Sequence, residues 1–278
     1  MKNKFYNFRP EINKNIRNTN QIVKFGNSVE LMKKVKDESV SLVVTSPPYN
    51  LGKDYGIYND KVPLDKWKHL IADSTEQIFR ILKKNGSFFL NVSQIPGKNK
   101  EIVLLPYICY EITKDKGFYL RNMIVWQFNN MVNCVNRLSG RYENILWCVK
   151  DINNYIFNLD DVRLPYITKK DKRLDQSKGR NPTDVWYFDR VNNVTKKKYG
   201  LDHPCVYPLP MIERIIKMSS KKGDWILDPF IGSGTTLIAA ANLNRNGIGF
   251  EMDKNYSKLI KKRLDKEVNL QEEFSLTK

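Results

Sequence analysis

The sequence predicts an α/β protein built on a mostly parallel, doubly wound sheet. Short β-branched apolar runs alternate along the chain with longer segments of helical periodicity, which is the pattern of β-α-β units. Two of the apolar runs, 40–44 and 225–227, end abruptly in turn-forming residues, and ligands of such sheets collect where strands end. A chain of 278 residues is long enough for one such domain with an insertion.

The first part of the chain predicts an arm followed by a β-α-β unit. Residues 1–20 are polar, basic and rich in Asn, so we expect a flexible arm. It can contact phosphates, but the favoured alternative is a simply disordered terminus. Residues 21–25 alternate like a strand, and either Asn27 or Ser28 can cap the helix that follows. The strand of residues 40–44 completes a unit that should be parallel and right-handed.

The stretch Thr45-Ser46-Pro47-Pro48-Tyr49-Asn50 ends that strand. Two prolines stop the strand at once, so a polar side chain, a rigid turn and an aromatic ring lie at its carboxyl end. Residues 50–63, rich in Gly, Tyr, Asn and Asp, predict a surface loop that is placed to close over a substrate.

The alternation continues through the middle of the chain. Apolar positions at helical spacing predict a helix over 64–84, which Asn85-Gly86 ends. The next elements are a strand over 87–92, a helix over 101–116, and strands over 118–128 and 142–149.

Residues 150–200 break this pattern. They lack sustained periodicity and mix Lys and Arg with tyrosines and a tryptophan, a composition that suits phosphate contacts and base stacking. The alternative is an ordinary long insertion. Because loops of this length are usually functional or disordered, we favour the nucleic-acid role. Apolar spacing then predicts a helix from Ile212 to Met218.

Residues 224–236 predict a strand, a glycine turn and a helix. Gly232 and Gly234 let the backbone come close to a ligand, and the helix amino terminus offers free N–H groups. The next apolar element, 247–250, ends in Glu251, and this spacing suits a carboxylate that holds ribose hydroxyls. A lysine-rich helix over 255–264 closes the fold.

Composition narrows the classes of function. Lys and Arg outnumber Asp and Glu by 47 to 30, and the formal charge of +17 favours a polyanionic partner. The four cysteines (Cys109, Cys134, Cys148 and Cys205) have no paired spacing and there are only two histidines, so we expect free thiols and no metal site. The lack of a long apolar run or a signal-peptide pattern predicts a cytosolic protein without membrane contact.

The glycine turn matches neither common phosphate-binding fingerprint. No Gly-Lys-Ser/Thr follows it, and the third glycine of the dinucleotide motif is missing. Preceded by Asp228-Pro229-Phe230 and paired with the Ser-Pro-Pro-Tyr turn, it resembles the S-adenosylmethionine-dependent DNA amino-methyltransferases, which modify exocyclic nitrogens of cytosine or adenine. The resemblance runs from about Phe25 to Tyr256, and the motif order is that of the family's beta arrangement.

This resemblance implies a seven-stranded, circularly permuted Rossmann-like fold with S-adenosylmethionine as cofactor. It places Asn27 near the adenine and Glu251 at the ribose. By the same resemblance, the methionine end is lined by Asp228, Phe230, Gly232 and Gly234. The implied cofactor site also includes Thr45 and Thr235. His203-Pro204, ahead of Pro208, is similar to the family's His-Pro-x-x-x-Pro element beside the cofactor, although Cys205, Val206 and Tyr207 depart from its usual residues.

The predicted organisation has four parts: a basic arm (1–20), a catalytic half (21–149), an inserted target-recognition region (150–200) and a cofactor-binding half (201–278). Residues 181–186 are also similar to a family element, which would make 181–191 scaffold and narrow recognition to about 150–180. Double-stranded DNA is the implied partner, with a second copy of the chain and a cognate restriction endonuclease as further candidates. Binding to DNA would place the protein at the nucleoid.

The predicted chemistry begins from a weak nucleophile, because the lone pair of an exocyclic amino nitrogen is delocalised into the base. By the resemblance, Ser46 and the carbonyl of Pro47, which Pro48 helps to hold rigid, accept hydrogen bonds from the amino group. Tyr49 would stack on the base, which must leave the duplex to be reached. The methyl group then moves directly, without a covalent enzyme intermediate or a metal.

Several alternatives remain open at this point. Family members with Ser at the position of Ser46 lean towards cytosine and those with Asp towards adenine, so we predict N4 of cytosine over N6 of adenine. Pro204-Cys205 superficially resembles the nucleophile of cytosine carbon-5 methyltransferases, but it does not end an apolar strand, and we predict a structural thiol. A non-catalytic DNA-binding protein on the same fold and an RNA substrate are the other readings.

Overall fold

The computed structural model describes residues 5–55, 57–97, 100–129, 133–166, 178–191 and 205–268. The helices are α1 (Ser28–Met32), α2 (Leu64–Ile81), α3 (Leu105–Asp115), α4 (Leu209–Ser219), α5 (Thr235–Asn242) and α6 (Ser257–Lys266). The strands of the main sheet are β1 (Ile12–Ile16), β2 (Thr19–Phe25), β3 (Val40–Thr45), β6 (Leu82–Val92), β9 (Tyr119–Gln127), β10 (Tyr142–Val149), β11 (Val185–Tyr187), β12 (Trp225–Asp228) and β13 (Asn246–Glu251). Two small hairpins consist of β4 (Asp54–Tyr55) with β5 (Tyr58–Asn59), and β7 (Ile95–Pro96) with β8 (Ile102–Val103).

The main sheet is mostly parallel, as the sequence predicts. Its strand order is β1-β2-β13-β12-β3-β6-β10-β9-β11. Strands β2, β13, β12, β3 and β6 pair in parallel, whereas β10 runs antiparallel to both of its neighbours. The late strands β12 and β13 thus lie between β2 and β3, which are close in sequence.

The sheet has nine strands where the sequence analysis predicts seven. The two additional strands are at the edges: β1 pairs with β2, and β11 pairs in parallel with β9. Strand β11 lies inside the predicted 181–191 scaffold segment, and Trp186 is buried there. Strand β1 lies inside the predicted arm.

The prediction of a flexible arm is wrong for residues 5–20, the part of it that the structure describes. Ile12 is buried, and β1 and β2 form a hairpin whose two turn residues, Arg17 and Asn18, both have positive φ. Such a turn matches the twist of paired strands, and Asn tolerates it well. Phe5 packs against Trp225, so the segment before β1 is also attached to the domain.

Two predicted helices extend into residues that the structure places in strands. Helix α2 ends at Ile81 and not at residue 84, because Leu82 is already extended and begins β6. Helix α3 starts at Leu105 and not at residue 101, since Ile102 and Val103 pair with the strand β7. Apolar spacing alone does not separate a helix end from a strand that follows without a loop.

Helices cover both faces of the sheet, which explains the unbroken apolar character of its central strands. On β3, Val43 packs into a core with α1, α2 and α3, whereas Leu42 and Val44 pack into a second core with α4 and α5. A third core joins β1 and β2 to α5 and α6. No helix in the described ranges has the length and apolar character needed to cross a bilayer.

Much of the described part of the predicted recognition region is attached to the domain. Asn158 donates to the carbonyls of Lys217 and Ser220, and Val162 is buried in the second core. Tyr155 packs against Trp147, so its ring is not free for base stacking. Residues 167–177 and 192–204, which include His203-Pro204 and Tyr199, lie outside the described residues.

Candidate active site

A cavity of about 530 Å³ opens at the carboxyl ends of the central strands. Strands β2, β3, β6, β12 and β13 all end at this edge, because they are parallel. Seven of the predicted site residues line the cavity: Asn27, Ser46, Pro48, Tyr49, Phe230, Gly232 and Glu251. The structure therefore brings together the two motifs that are almost two hundred residues apart in sequence.

The glycine turn links β12 to α5 through a backbone conformation that residues other than glycine rarely adopt. Gly232 and Gly234 have φ values of 50° and 88°. Gly234 is the residue before the first turn of α5, and a Cβ there would lie 3.3 Å from Ile260 Cγ2. Both glycines are thus required by conformation, and Gly232 also faces the cavity.

Asp228 connects the two motifs from beneath the cavity. Its two carboxylate oxygens accept hydrogen bonds from Thr45 Oγ1 and Thr236 Oγ1, each at 2.6 Å, and the Phe230 N–H donates to it at 3.1 Å. The carboxyl is 2 % exposed. Burial raises the pKa of Asp228 from its ordinary value of 3.8 to about 6, although the three donors act in the opposite direction.

Thr45, Asp228, Gly234 and Thr235 support the cavity wall rather than line it. The Thr235 hydroxyl accepts from the buried guanidinium of Arg263 at 2.9 Å, and Arg263 also donates to the Ser233 carbonyl at 2.9 Å. Helix α6 thereby holds the glycine turn in place. Direct cofactor contacts by these four residues stay predictions.

Glu251 and Asn27 lie on the side of the cavity formed by β13 and β2. The Glu251 oxygens accept from the backbone N–H groups of Gly232 (2.9 Å) and Asp253 (3.0 Å), and burial raises the pKa of this carboxyl. Asn27 caps α1 by accepting from two backbone N–H groups. Both residues line the cavity, and their contacts with the ribose and the adenine stay predictions.

The Ser-Pro-Pro-Tyr turn is held from several directions. Trp67 Nε1 donates to the Pro48 carbonyl at 2.6 Å, and Pro47 is buried. The buried carboxylate of Asp60 accepts from the backbone N–H groups of Asn50, Leu51 and Lys53, which fixes the start of the loop 50–63. Leu51 and Lys53 line the cavity, so this loop does lie at its mouth.

Tyr49 takes part in a polar cluster that the sequence analysis does not predict. Its hydroxyl accepts from Ser46 Oγ at 2.9 Å and from Asn91 Nδ2 at 2.7 Å, and it donates to Glu143 Oε2 at 2.9 Å. Burial and then the Glu143 carboxylate raise the pKa of Tyr49 well above its ordinary value. The ring lines the cavity, and stacking on a base stays a prediction.

Tyr207 is a second residue that the motifs do not reveal. It lines the cavity, and its buried hydroxyl has no hydrogen-bond partner among the described residues. Burial and the neighbouring Asp228 carboxylate raise the pKa of Tyr207, while Ser46 acts in the opposite direction. The Tyr207 hydroxyl therefore lies between Asp228, which supports the glycine turn, and Ser46, which begins the Ser-Pro-Pro-Tyr turn.

The four cysteines fall into two environments. Cys109 and Cys148 are buried, and burial raises the pKa of both thiols, that of Cys148 to about 12. Cys134 and Cys205 are partly exposed and line the cavity, and Lys53 Nζ donates to Cys205 Sγ at 3.0 Å. Cys205 begins the described stretch 205–208, which has no regular structure, and its role as a structural thiol stays a prediction.

We therefore expect iodoacetamide to alkylate Cys134 and Cys205 in the native protein and to spare Cys109 and Cys148, because the thiolate is the reactive species. Peptide mass spectrometry would locate the modified thiols, with Cys205→Ser as the control for that site. Modification of Cys148 before unfolding would contradict the buried position.

The comparison with solved structures gives the class of fold first. A solved structure titled PvuII DNA methyltransferase (cytosine-N4-specific) superposes with a TM-score of 0.71, covering 88 % of this chain and 86 % of that chain at 20 % identity. At this identity the likeness shows the fold: a mixed α/β domain with a large, mostly parallel sheet. With the cavity at the strand ends, these features define the class of a Rossmann-like α/β fold with a ligand-sized site at the carboxyl edge of its sheet.

The sequence comparisons then give the family. The model of the DNA methylase family matches residues 40–262. The type II methyltransferase M.HpaI of Haemophilus parainfluenzae is 33 % identical over 243 residues, covering 87 % of this chain and 74 % of that protein. The DNA adenine methyltransferase YhdJ of Escherichia coli is 32 % identical over 250 residues, covering 86 % and 81 %.

The chain belongs to the DNA methylase family of the amino-methylating, N4/N6 type. It is a DNA methyltransferase that depends on S-adenosylmethionine, and solved structures of similar chains include complexes with this cofactor. The resemblance that the Ser-Pro-Pro-Tyr turn and the glycine turn predict is thereby confirmed.

Proposed function

We propose that the protein methylates N4 of cytosine at a specific site in double-stranded DNA. The observation that carries this choice is the hydroxyl of Ser46 on the cavity wall, where a carboxylate would favour adenine. A target base in the cavity would meet Ser46 and Tyr49 on one side and the glycine turn on the other. This arrangement suits a flipped nucleotide facing a bound cofactor.

The residues of the cavity divide the work between holding the cofactor and orienting the base. Bound there, S-adenosylmethionine supplies a methyl group on a positively charged sulfur. Glu251 and the residues of the glycine turn that face the cavity hold the cofactor, and Ser46 Oγ with the Pro47 carbonyl accepts the amino hydrogens of the base. The base amino nitrogen is thereby turned towards the methyl group at close range.

N6 of adenine is the second candidate, and the relative named DNA adenine methyltransferase YhdJ is the observation in its favour. Mass spectrometry of nucleosides from DNA treated with the protein and cofactor decides between them. N4-methylcytosine is the expected product, and N6-methyladenine alone would overturn the cytosine assignment. If no methyl group is transferred to DNA under any condition, the alternative of a non-catalytic DNA-binding protein remains. If only RNA is methylated, RNA replaces DNA as the substrate.

Ser46→Ala is expected to slow the methyl-transfer step by roughly 100-fold, because one acceptor for the amino hydrogens is lost while the cofactor site is intact. Single-turnover assays with labelled cofactor would measure this rate, and calorimetry would show an unchanged Kd for S-adenosylmethionine. Ser39→Ala, which changes a hydroxyl bonded only to the Lys36 carbonyl among the described residues, is the matched control. Wild-type transfer by Ser46→Ala would remove Ser46 from the chemistry.

The proposal extends to the partners and the cellular place. The formal charge of +17 and the cavity residues Lys53, Arg137 and Arg190 suit contact with DNA phosphates. We also place the protein in the cytoplasm at the nucleoid, acting as a homodimer beside a cognate restriction endonuclease. Light scattering of the purified protein tests the dimer, and digestion of methylated and unmethylated DNA by a candidate endonuclease tests the pairing.

A further inference from the structure

The strongest unassigned feature of the site is a line of hydrogen bonds that leads from the cavity into the protein. Ser46 Oγ donates to Tyr49 Oη at 2.9 Å, and Tyr49 Oη donates to Glu143 Oε2 at 2.9 Å. Asn91 Nδ2 donates to both Tyr49 Oη and Glu143 Oε2, each at 2.7 Å. The Tyr49 hydroxyl has one proton and two acceptors within reach, Glu143 Oε2 at 2.9 Å and the Asn91 carbonyl at 3.2 Å. The shorter bond to the charged acceptor directs the proton towards Glu143.

Glu143 is one of four buried acidic residues in the described ranges, with Asp60, Asp228 and Asp253, and it alone of these lines the cavity. It is 9 % exposed, and no ion pair to it occurs among the described residues. It lines the cavity and its Oε2 atom accepts from two polar neighbours instead. A buried carboxylate is costly to keep without a cation, so a position of this kind is a candidate for function.

The reaction needs a destination for a proton. When the base amino nitrogen forms a bond to the methyl carbon, the carbon–sulfur bond breaks and its electron pair stays on sulfur. The nitrogen is left with a positive charge and two hydrogens, of which one must leave. A serine hydroxyl cannot hold that proton by itself, because a protonated alcohol is a far stronger acid than the methylated amine.

We propose that Glu143 is the final acceptor of this proton, through Tyr49 and Ser46. The proton passes from the amino nitrogen to Ser46 Oγ, the Ser46 proton passes to Tyr49 Oη, and the Tyr49 proton passes to Glu143 Oε2. Each hydroxyl ends with one proton, the carboxylate becomes a carboxylic acid, and the product amine is neutral. This inference rests on the proposed methyl transfer to an amino nitrogen and holds for cytosine and adenine alike.

Tyr49→Phe separates this role from the predicted stacking role. The phenylalanine ring keeps the surface for stacking but removes the hydroxyl that connects Ser46 to Glu143. The relay predicts that Tyr49→Phe and Glu143→Gln are slow to a similar degree, and that the double variant is no slower than either one. A stacking role alone predicts that Tyr49→Phe is as fast as the wild type.

The main experiment measures single-turnover methyl transfer by Glu143→Gln with labelled S-adenosylmethionine and duplex DNA. The amide keeps an acceptor oxygen for Tyr49 but does not take a proton, so the rate should fall by roughly 100-fold, in the range of general base catalysis. The Kd values for cofactor and DNA should stay within about twofold of the wild type. Glu213→Gln, which alters a glutamate bonded to Asn242 away from the cavity, is the matched control.

Glu143→Ala provides a readout that a purely structural role would not give. The deletion leaves a gap at the end of the relay, and added formate should enter it and restore at least about a tenth of the wild-type rate. Formate should not accelerate the wild type or Glu143→Gln.

The outcomes are separable from those of the proposed function. If the wild type transfers no methyl group to a base amino nitrogen, the proposed function fails whatever the variants do. If the wild type is active and Glu143→Gln is equally fast, the relay is overturned. It is also overturned if Glu143→Ala gains nothing from formate, or if the slow variants lose cofactor affinity in proportion to their rate.

Discussion

Gly232→Asp is expected to abolish binding of S-adenosylmethionine, with Kd raised by at least roughly 100-fold, or about 2.7 kcal/mol. Gly232 faces the cavity, and its N–H donates to Glu251 Oε2 at 2.9 Å. A second carboxylate at this place would repel Glu251, compete for the same N–H groups and fill space that a ligand requires. Isothermal titration calorimetry with the cofactor measures the effect.

Gly223→Asp is the matched control for this change. Gly223 also has a positive φ, of 82°, and a Cβ there would have no atom within 4 Å. It lies ahead of β12, at the opposite end of the strand from the cavity. The two variants therefore share the backbone strain and the added charge, and only Gly232→Asp changes the cavity. Equal cofactor affinity in the two would contradict the predicted place of the cofactor.

Asp228→Asn is expected to remove a pH dependence of stability that the wild type has. Burial raises the pKa of Asp228 to about 6 in the folded chain, whereas the ordinary pKa of this group, which applies to the unfolded chain, is 3.8. Between these values the unfolded chain has lost a proton that the folded chain keeps, so the wild type loses stability as pH rises, by about 3 kcal/mol in total. Asparagine does not titrate, so the variant lacks this loss.

Urea unfolding of the wild type and Asp228→Asn at a series of pH values from about 3 to 7 measures this difference. The free energy of unfolding of the variant, relative to the wild type, should rise by about 3 kcal/mol across the series. Asp65→Asn is the control, since that side chain is 83 % exposed and is solvated in both states. A constant difference between wild type and Asp228→Asn would show that the buried carboxyl is ionised throughout.

The parts of the site that the sequence reveals are those governed by local rules. Two prolines after an apolar run mark a strand end wherever the strand lies in the sheet, and Gly232 and Gly234 mark a tight turn into a helix. Since parallel strands end at a common edge, the meeting of these two stretches follows from the fold class. The identity of the cofactor, S-adenosylmethionine, followed from the family resemblance and not from these local rules.

Glu143 and Asn91 depend on information that spacing does not contain. Glu143 is at the start of β10, and it reaches the cavity because β10 runs antiparallel to β6, where Asn91 lies near the carboxyl end. The sequence pattern identifies both strands but not their relative direction. Tyr207 lies in the stretch 205–208, which has no regular structure, so no strand or helix pattern predicts that its side chain enters the cavity.

The hairpin of β1 and β2 shows a different limit. Ile12 and Ile16 alternate with polar residues, and the alternation is short and sits within a basic, Asn-rich composition. The average composition of residues 1–20 predicts an arm, whereas the structure follows from Ile12, Ile16 and the Arg17-Asn18 turn. The sequence pattern of a short edge strand can thus be interpreted only when the strand that it pairs with is known.

The strand order has a consequence for how the protein is made. Strands β2 and β3 emerge early from the ribosome, but β12 and β13, which separate them in the sheet, are synthesised about two hundred residues later. Until then the nascent chain has a gap at the centre of its sheet, and the pairing that closes it has a long sequence separation, as in the Thr45–Asp228 contact across 183 residues. An incomplete chain therefore has no glycine turn beside its Ser-Pro-Pro-Tyr turn, and we expect activity only after synthesis has supplied the middle of the sheet.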